Sequence, residues 1–227
     1  AQNQTFTLFN VTIVGVDKVS VIPSNTVVES FRNFWFTLDE IETPQTTTNV
    51  TIRSVTNELN LSNTTIGSGV TQLEGTRDSL SRGVDITDGR DDIGRTLVGT
   101  AARDELRGRG GGDTFIPGDG EDTIIGGTGN DTMVGGRGHD TLVGGAGNDQ
   151  IWGMEGNDNL TGGAGADTFY FGLNMAHDTI TDFNEIEGDT INFGGFSTEI
   201  IHNADNIDVK YILSDGSSIS LINPKIN

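Results

Sequence analysis

Eight aspartates recur at intervals of nine residues through the middle of the sequence, each within a glycine-containing segment and two residues before a large apolar side chain. Ca²⁺ is a hard cation that takes six or more oxygen ligands from carboxylates and backbone carbonyls. Glycine tolerates positive φ and has no side chain to collide with, so successive carbonyls of a glycine-rich turn can point toward one ion. The pattern therefore predicts a series of calcium sites. Their aspartates are Asp104, Asp113, Asp122, Asp131, Asp140, Asp149, Asp158 and Asp167.

These aspartates belong to consecutive units of nine residues, which read GTAARDELR, GRGGGDTFI, PGDGEDTII, GGTGNDTMV, GGRGHDTLV, GGAGNDQIW, GMEGNDNLT and GGAGADTFY. Position six is Asp in every unit, and position eight is always apolar, from Leu106 to Phe169. Leu97 continues the apolar series one unit upstream, where the aspartate is missing. A fixed period of this kind is typical of repeat architectures in which each unit stacks on the next. We expect the position-eight side chains to point into a shared core.

Four of the units, GGTGNDTMV, GGRGHDTLV, GGAGNDQIW and GGAGADTFY, match the pattern G-G-x-G-x-D-x-U-x in full. This part of the sequence resembles the calcium-binding repeats of the RTX family, and the resemblance covers roughly residues 99–192. It implies a parallel β-roll in which two nonapeptides complete one coil, with calcium ions between stacked turns on each flank. Carbonyls of repeat glycines are then further predicted ligands: Gly127, Gly129, Gly136, Gly138, Gly145, Gly147, Gly156, Gly163 and Gly165.

If two units form a coil, the carboxylates sort into two columns, one from Asp104 to Asp158 and the other from Asp113 to Asp167. Stacked turns lie ~4.8 Å apart, and two bare carboxylates at ~5 Å repel by roughly 3 kcal/mol at an effective dielectric of 20. Calcium between the layers removes this repulsion, so we expect folding to be coupled to metal binding. Three gaps in each column suggest about six ions in the roll, or fewer if GTAARDELR does not contribute. The alternative is a disordered linker rich in Gly and Asp.

The segment HDTITDFNEIEGDTINF, residues 177–193, is similar to the stretch that closes many RTX rolls. A stack of coils leaves an apolar end that needs a cap. Asp178, Asp182 and Asp189 are candidates for a further calcium site in this region. They are equally well explained as surface aspartates of a capping sheet.

The sequence predicts an all-β protein with three regions. Residues 1–89 alternate polar and apolar residues and predict a small β-sandwich-like domain, residues 90–170 form the roll, and residues 171–227 form a β cap in which Asp215-Gly216 marks a hairpin turn. The stretch TFTLFNVTIVGV near the N-terminus is apolar on both faces. Such a strand is expected either in the centre of its own sheet or as a terminal strand that completes the sheet of a neighbouring subunit.

The formal net charge of −20 argues against nucleic acid or an anionic membrane as a partner and favours divalent cations. There is no cysteine, and no apolar run approaches the ~18 residues that a membrane-spanning helix needs. Neither the H-E-x-x-H motif of zinc proteases nor the G-x-S-x-G motif of lipases occurs. We therefore expect that the protein is not an enzyme.

The preferred function is that of a secreted, calcium-binding structural protein of the cell surface, as a subunit of an S-layer, an extracellular filament or an adhesive matrix. Self-association would then occur through the N-terminal β domain. The first alternative is an RTX secretion and folding tail of a type I-secreted enzyme or toxin. The second is a carbohydrate-binding surface module in which Trp35 contacts the glycan.

Overall fold

The computed structural model describes residues 93–202 and 209–226 and, nearer the N-terminus, the short segments 4–8, 18–20, 26–30, 40–42, 50–54, 58–60, 65–66, 70–75 and 85–88. Trp35 and residues 9–16 of the apolar N-terminal stretch lie outside these segments. The described residues contain no helix, and therefore none that is long and apolar enough to cross a membrane.

The described residues form twenty-four strands, named β1 to β24 in chain order. The strands before the repeat are β1 (Gln4–Leu8), β2 (Lys18–Ser20), β3 (Thr26–Ser30), β4 (Glu40–Glu42), β5 (Val50–Ser54), β6 (Glu58–Asn60), β7 (Thr65–Ile66), β8 (Val70–Gly75), β9 (Asp85–Thr87) and β10 (Thr96–Val98). Those of the repeat are β11 (Glu105–Gly110), β12 (Thr114–Ile116), β13 (Gly118–Asp119), β14 (Thr123–Thr128), β15 (Thr132–Arg137), β16 (Thr141–Ala146), β17 (Gln150–Glu155), β18 (Asn159–Ala164) and β19 (Thr168–Tyr170). Those after it are β20 (His177–Ile180), β21 (Thr190–Asn192), β22 (Thr198–His202), β23 (Val209–Leu213) and β24 (Ser218–Leu221).

Most of these strands belong to two long sheets. The first has the order β1-β3-β5-β8-β10-β12-β15-β17-β19-β21, with β13 also paired to β15, and the second has the order β22-β23-β24-β20-β18-β16-β14-β11-β9-β6. Successive nonapeptides alternate between the sheets, because β14, β16 and β18 pair in one and β15, β17 and β19 in the other. All of these pairs are parallel, which confirms the predicted β-roll.

The register of the roll places equivalent residues of successive coils side by side. Ile124 lies opposite Leu142, and Leu142 lies opposite Leu160, so one coil takes two nonapeptides. The position-eight side chains point inward and have no exposed surface, whereas their neighbours on either side are only partly buried. This alternation is what a period of two residues per strand requires. The buried series begins before the repeat and continues beyond it: Leu73, Ile86, Leu97, Leu106, Phe115, Ile124, Met133, Leu142, Ile151, Leu160, Phe169 and Ile180.

The strands described within residues 1–89 do not pair as the predicted sandwich requires. β1, β3, β5, β8 and β10 are parallel neighbours in the first sheet, and β6, β9 and β11 are parallel neighbours in the second. The sheets therefore run through the predicted boundary at residue 89. Alternating Thr and Val indicate a strand but carry no information on the direction of its partner, which is why the sandwich was expected. The three domain ranges remain predictions.

After the repeat, β20 and β21 each add one more parallel strand to the two sheets. β24 pairs in parallel with β20, and then β24, β23 and β22 pair antiparallel. The turn between β23 and β24 contains Asp215 and Gly216, and Gly216 has φ +91°. Positive φ is the conformation that glycine allows, as the sequence predicts for this hairpin.

The inward ladder predicts unequal effects for neighbouring residues of β16. Leu142→Ala should lower the free energy of unfolding in calcium by about 2–5 kcal/mol, because it opens a cavity in a fully buried stack. The matched variant Val143→Ala, which alters a partly exposed outward side chain, should cost less than about 1 kcal/mol. Denaturant unfolding in saturating calcium measures both. Equal losses would show that position eight is not the core position.

Candidate metal centre

The repeat aspartates lie in two columns. The backbone N–H of each donates to Oδ1 of the aspartate one coil later, as from Asp122 to Asp140 at 2.8 Å and from Asp131 to Asp149 at 2.8 Å. Beyond the repeat, Asp178 accepts from the N–H of Asp158 at 2.9 Å, and Asp189 accepts from Asp167 at 3.0 Å. One column therefore contains Asp104, Asp122, Asp140, Asp158 and Asp178, and the other contains Asp113, Asp131, Asp149, Asp167 and Asp189.

The second carboxylate oxygen of most of these residues is buried without a hydrogen-bond donor. This holds for Oδ2 of eight aspartates, none of which is more than 2% exposed: Asp113, Asp122, Asp131, Asp140, Asp149, Asp158, Asp167 and Asp178. A buried carboxylate is unfavourable unless a cation or donors compensate its charge. Eight buried oxygens without donors, arranged in the two columns, indicate that the fold requires positive charge on its flanks.

Asp104, the first aspartate of one column, and Asp189, the last aspartate of the other, differ from the remaining eight. Oδ2 of Asp104 accepts from the backbone N–H of Thr100 at 2.6 Å, and the Thr100 hydroxyl lies 3.0 Å from Oδ1. Oδ2 of Asp189 accepts from the N–H of Asn184 at 2.8 Å. Protein donors therefore satisfy both oxygens of these two carboxylates. The irregular unit GTAARDELR brings Thr100 to Asp104 by placing threonine where most other units have glycine.

The predicted glycine ligands lie in turns that bring the backbones of successive coils together. Gly127 has φ +114° and Gly129 has φ +128°. A Cβ at either position would collide with a carbonyl oxygen one coil earlier, that of Arg109 or that of Gly111. Positive φ and close approach recur at all the other predicted glycines: Gly136, Gly138, Gly145, Gly147, Gly156, Gly163 and Gly165. The flanks therefore contain backbone carbonyl oxygens as well as carboxylates.

The first glycine of each unit has a role that the sequence analysis missed. A Cβ at Gly126 would collide with Oδ2 of Asp131, and a Cβ at Gly144 would collide with Oδ2 of Asp149. The space beside six of the eight unsatisfied oxygens thus depends on glycine at position one, and Asp122 and Asp178 are the exceptions. The signal was present, because seven of the eight units begin with glycine and only PGDGEDTII does not.

Position five carries a second ladder that the sequence analysis also missed. The Asn130 amide oxygen accepts from the N–H of Asn148 at 2.8 Å, and the Asn148 amide oxygen accepts from Ala166 at 2.9 Å. On the other flank, Nδ1 of His139 accepts from the N–H of Asn157 at 3.0 Å. An acceptor at this position ties each turn to the next one. His139 therefore requires the tautomer in which Nδ1 carries no proton.

Asp182, the third candidate in the cap, lies outside both columns. Its carboxylate accepts from the N–H of Gly162 at 3.0 Å and from the N–H of Gly163 at 2.8 Å. These donors belong to the end of β18 in the preceding coil. The Asp182 carboxylate therefore takes the place of acceptors that the backbone of a further coil would provide to these two N–H groups.

Burial controls the protonation of the columns. Desolvation raises the pKa of Asp113 and of Asp178 to about 8 and that of Asp122 to about 7, although a backbone N–H donor opposes the shift in each case. For Asp122 the charges of Asp104 and Asp140 raise the pKa further. Burial also raises the pKa of Asp140, Asp149 and Asp167 to about 6. Burial therefore disfavours the ionised form of these six carboxylates.

The donor set fits calcium. The described residues contain no group of three or more His, Cys, Asp or Glu side chains that would hold a metal by side chains alone, and the chain has no cysteine. What the flanks offer is a carboxylate oxygen together with several backbone carbonyls, which suits a hard cation with many oxygen ligands and not zinc. Oδ2 of the eight aspartates and the carbonyls of the neighbouring glycine turns are the groups that would hold it. When bound, calcium supplies the positive charge that the columns lack.

Comparison with known families agrees with this geometry. A family model described as the RTX calcium-binding nonapeptide repeat (4 copies) matches three overlapping segments, residues 96–124, 116–151 and 143–173. The match confirms the resemblance found in the sequence. Proteins with these repeats bind calcium and are typically secreted. No curated protein matches the chain.

The raised pKa values predict how the metal-free roll responds to pH. Folding raises the pKa of these carboxyls above the ordinary 3.8, so their contribution to stability is fully present below about pH 4 and is lost as the pH rises through about 6 to about 8. In a chelator, the strand signal in far-ultraviolet circular dichroism should therefore fall as the pH rises from about 5 to about 8. In saturating calcium it should stay constant over this range. A signal in chelator that ignores pH, or rises with it, would contradict the assigned burial.

Proposed function

We propose, given that residues 96–173 carry RTX calcium-binding nonapeptide repeats, that this chain is a secreted structural protein of the cell surface whose roll folds when it binds calcium. The observation that supports the calcium-coupled folding most directly is the set of eight buried carboxylate oxygens without donors. The proposal assigns no catalytic role to the chain.

Calcium-coupled folding follows from the arrangement of charge. The unfolded chain keeps its carboxylates in water, where they are separated and solvated. The folded chain brings them into register in a region where ionisation is disfavoured. A ligand that binds only the folded state stabilises it by mass action. The roll would thus stay unfolded at the low calcium of a cytosol and fold at the millimolar calcium outside the cell.

The structural role is supported by the continuity of the sheets. The eleven-stranded sheet has β1 at one end and β21 at the other within the described strands. An edge strand exposes unpaired backbone groups that can pair with another chain. Copies stacked end to end would extend the parallel sheet, with β1 of one copy beside an edge of the next. Trp152 and Tyr170 add rigidity along the direction in which the coils stack, because their rings stack across adjacent coils with centroids 4.1 Å apart.

The export and folding tail remains the second candidate. It is favoured by the calcium-binding repeats of residues 96–173, which are followed along the chain by the strands β20 to β24. A longer reading frame with a catalytic region upstream would favour this candidate over the structural one.

The calcium sites predict different effects for two aspartates of the same column. Asp140→Asn keeps the amide oxygen that accepts from Asp122 but removes the charge, so the calcium concentration at half-folding should rise about tenfold. Asp104→Asn should change it by less than about twofold, because Thr100 already satisfies that carboxylate. Calcium titration followed by circular dichroism measures both. Equal shifts, or a wild-type signal indifferent to chelator, would contradict the assignment.

Assembly is tested by electron microscopy of the protein in calcium, where ordered polymers are expected. Deleting residues 1–16, which include β1, should abolish the polymers while leaving the calcium-dependent circular dichroism signal of the roll unchanged. If the intact chain forms no polymers, the structural role is wrong and the calcium role is unaffected. If the deletion unfolds the roll, the N-terminal strand is part of the core and not a donor strand.

A further inference from the structure

Arg95 occupies the place of an aspartate in the second column. It is the sixth residue of the unit RDDIGRTLV, residues 90–98, whose eighth residue is the buried Leu97. Its N–H donates to Oδ1 of Asp113 at 2.7 Å, and its carbonyl accepts from the N–H of Thr114 at 2.7 Å. These are the two backbone contacts that each aspartate of the column makes with the following coil. The column therefore has an arginine where its first carboxylate would be.

The Arg95 side chain brings its own positive charge into the core. Its Nη1 donates to both oxygens of Asp88, at 3.2 Å and 3.1 Å, and to the carbonyl of Ile93 at 3.2 Å. Arg95 is 3% exposed and Asp88 is 1% exposed. Asp88 follows β9 of one sheet and Arg95 precedes β10 of the other, so this ion pair connects the two sheets. Removal of one partner from a buried ion pair leaves an uncompensated charge.

We propose that Arg95 is a fixed cation that replaces calcium at the N-terminal end of the second column. The inference rests on the proposed calcium-coupled folding of the repeat. In eight of the ten column aspartates, Oδ2 is buried without a donor and, under the proposed function, requires an external cation. At Arg95 the guanidinium and Asp88 form a pair within the chain. The N-terminal segment of the stack, formed by β8, β9 and β10, therefore needs no metal.

Two further features support a metal-independent segment at the N-terminal end of the stack. The first column also begins without an unsatisfied oxygen, since Thr100 donates to the Asp104 carboxylate. The apolar ladder continues below the first calcium-binding turn through Leu73, Ile86 and Leu97, all of which are fully buried. This N-terminal segment thus has a core, a buried ion pair and a pairing surface for β11 and β12. It would serve as a preformed base on which the calcium-dependent coils stack.

Hydrogen exchange of the full chain in calcium and in chelator tests the proposal. In chelator, amides of residues 70–75, 85–88 and 93–98 should stay protected, while those of residues 113–167 should exchange at least about a hundredfold faster than in calcium. If both regions lose protection in chelator, calcium-coupled folding stands and the role of Arg95 is overturned. If both stay protected, the calcium-coupled folding fails and the inference falls with it.

Variants of Arg95 test the charge itself. In chelator, Arg95→Met should speed exchange in residues 70–75, 85–88 and 93–98 at least about a hundredfold, whereas Arg95→Lys should stay within about tenfold of the wild type. Arg137→Met is the matched control, since it removes an exposed arginine that pairs with Glu155 at 3.2 Å, and it should have no effect. Wild-type protection in Arg95→Met would overturn the proposal. If Arg95→Met does not fold even in calcium, the hydrogen exchange of the wild-type chain in calcium and in chelator decides whether the proposal holds.

Discussion

The structure depends on carboxylates that are buried in register. Each coil places an aspartate directly beside its equivalent in the next coil, and the backbone N–H of one holds the carboxylate of the other. That hydrogen bond fixes one oxygen, while the second oxygen is buried and in eight of the ten aspartates has no donor. The same contact that aligns the coils therefore creates the need for a cation. Under the proposed calcium-coupled folding, stacking and metal dependence are one property of the repeat.

Glycine has two separate roles in this arrangement. At positions two and four, as at Gly127 and Gly129, it allows positive φ and brings successive turns so close that no Cβ would fit. At position one, as at Gly126, it leaves room beside the unsatisfied oxygen of the same unit. Such a glycine-rich segment gains little from its own conformational preferences. The buried ladder must therefore provide much of its stability, and under the proposed function the flank cations provide the rest.

The resemblance carried by the nonapeptides implied the roll, and with it the two columns, and the recurring apolar residue at position eight predicted the inward ladder. Contacts outside the period were not predictable. Thr100 satisfies Asp104 because one unit departs from the pattern, and Arg95 pairs with Asp88 across a stretch that lacks the repeat. The parallel direction of β5 and β8 was missed for a similar reason, since alternating polar and apolar residues suit either direction of pairing.

The columns continue past the point where the spacing of the aspartates changes. Asp158 and Asp178 are 20 residues apart, and Asp167 and Asp189 are 22 apart, against 18 within the repeat, yet both pairs keep the same backbone contact. The additional residues are accommodated in the connections between strands and not in the strands themselves. Related sequences can therefore gain or lose residues in the connections between strands, or whole coils of 18 residues, without changing which flank each aspartate lies on. A change of a single nonapeptide would move every later aspartate to the opposite flank.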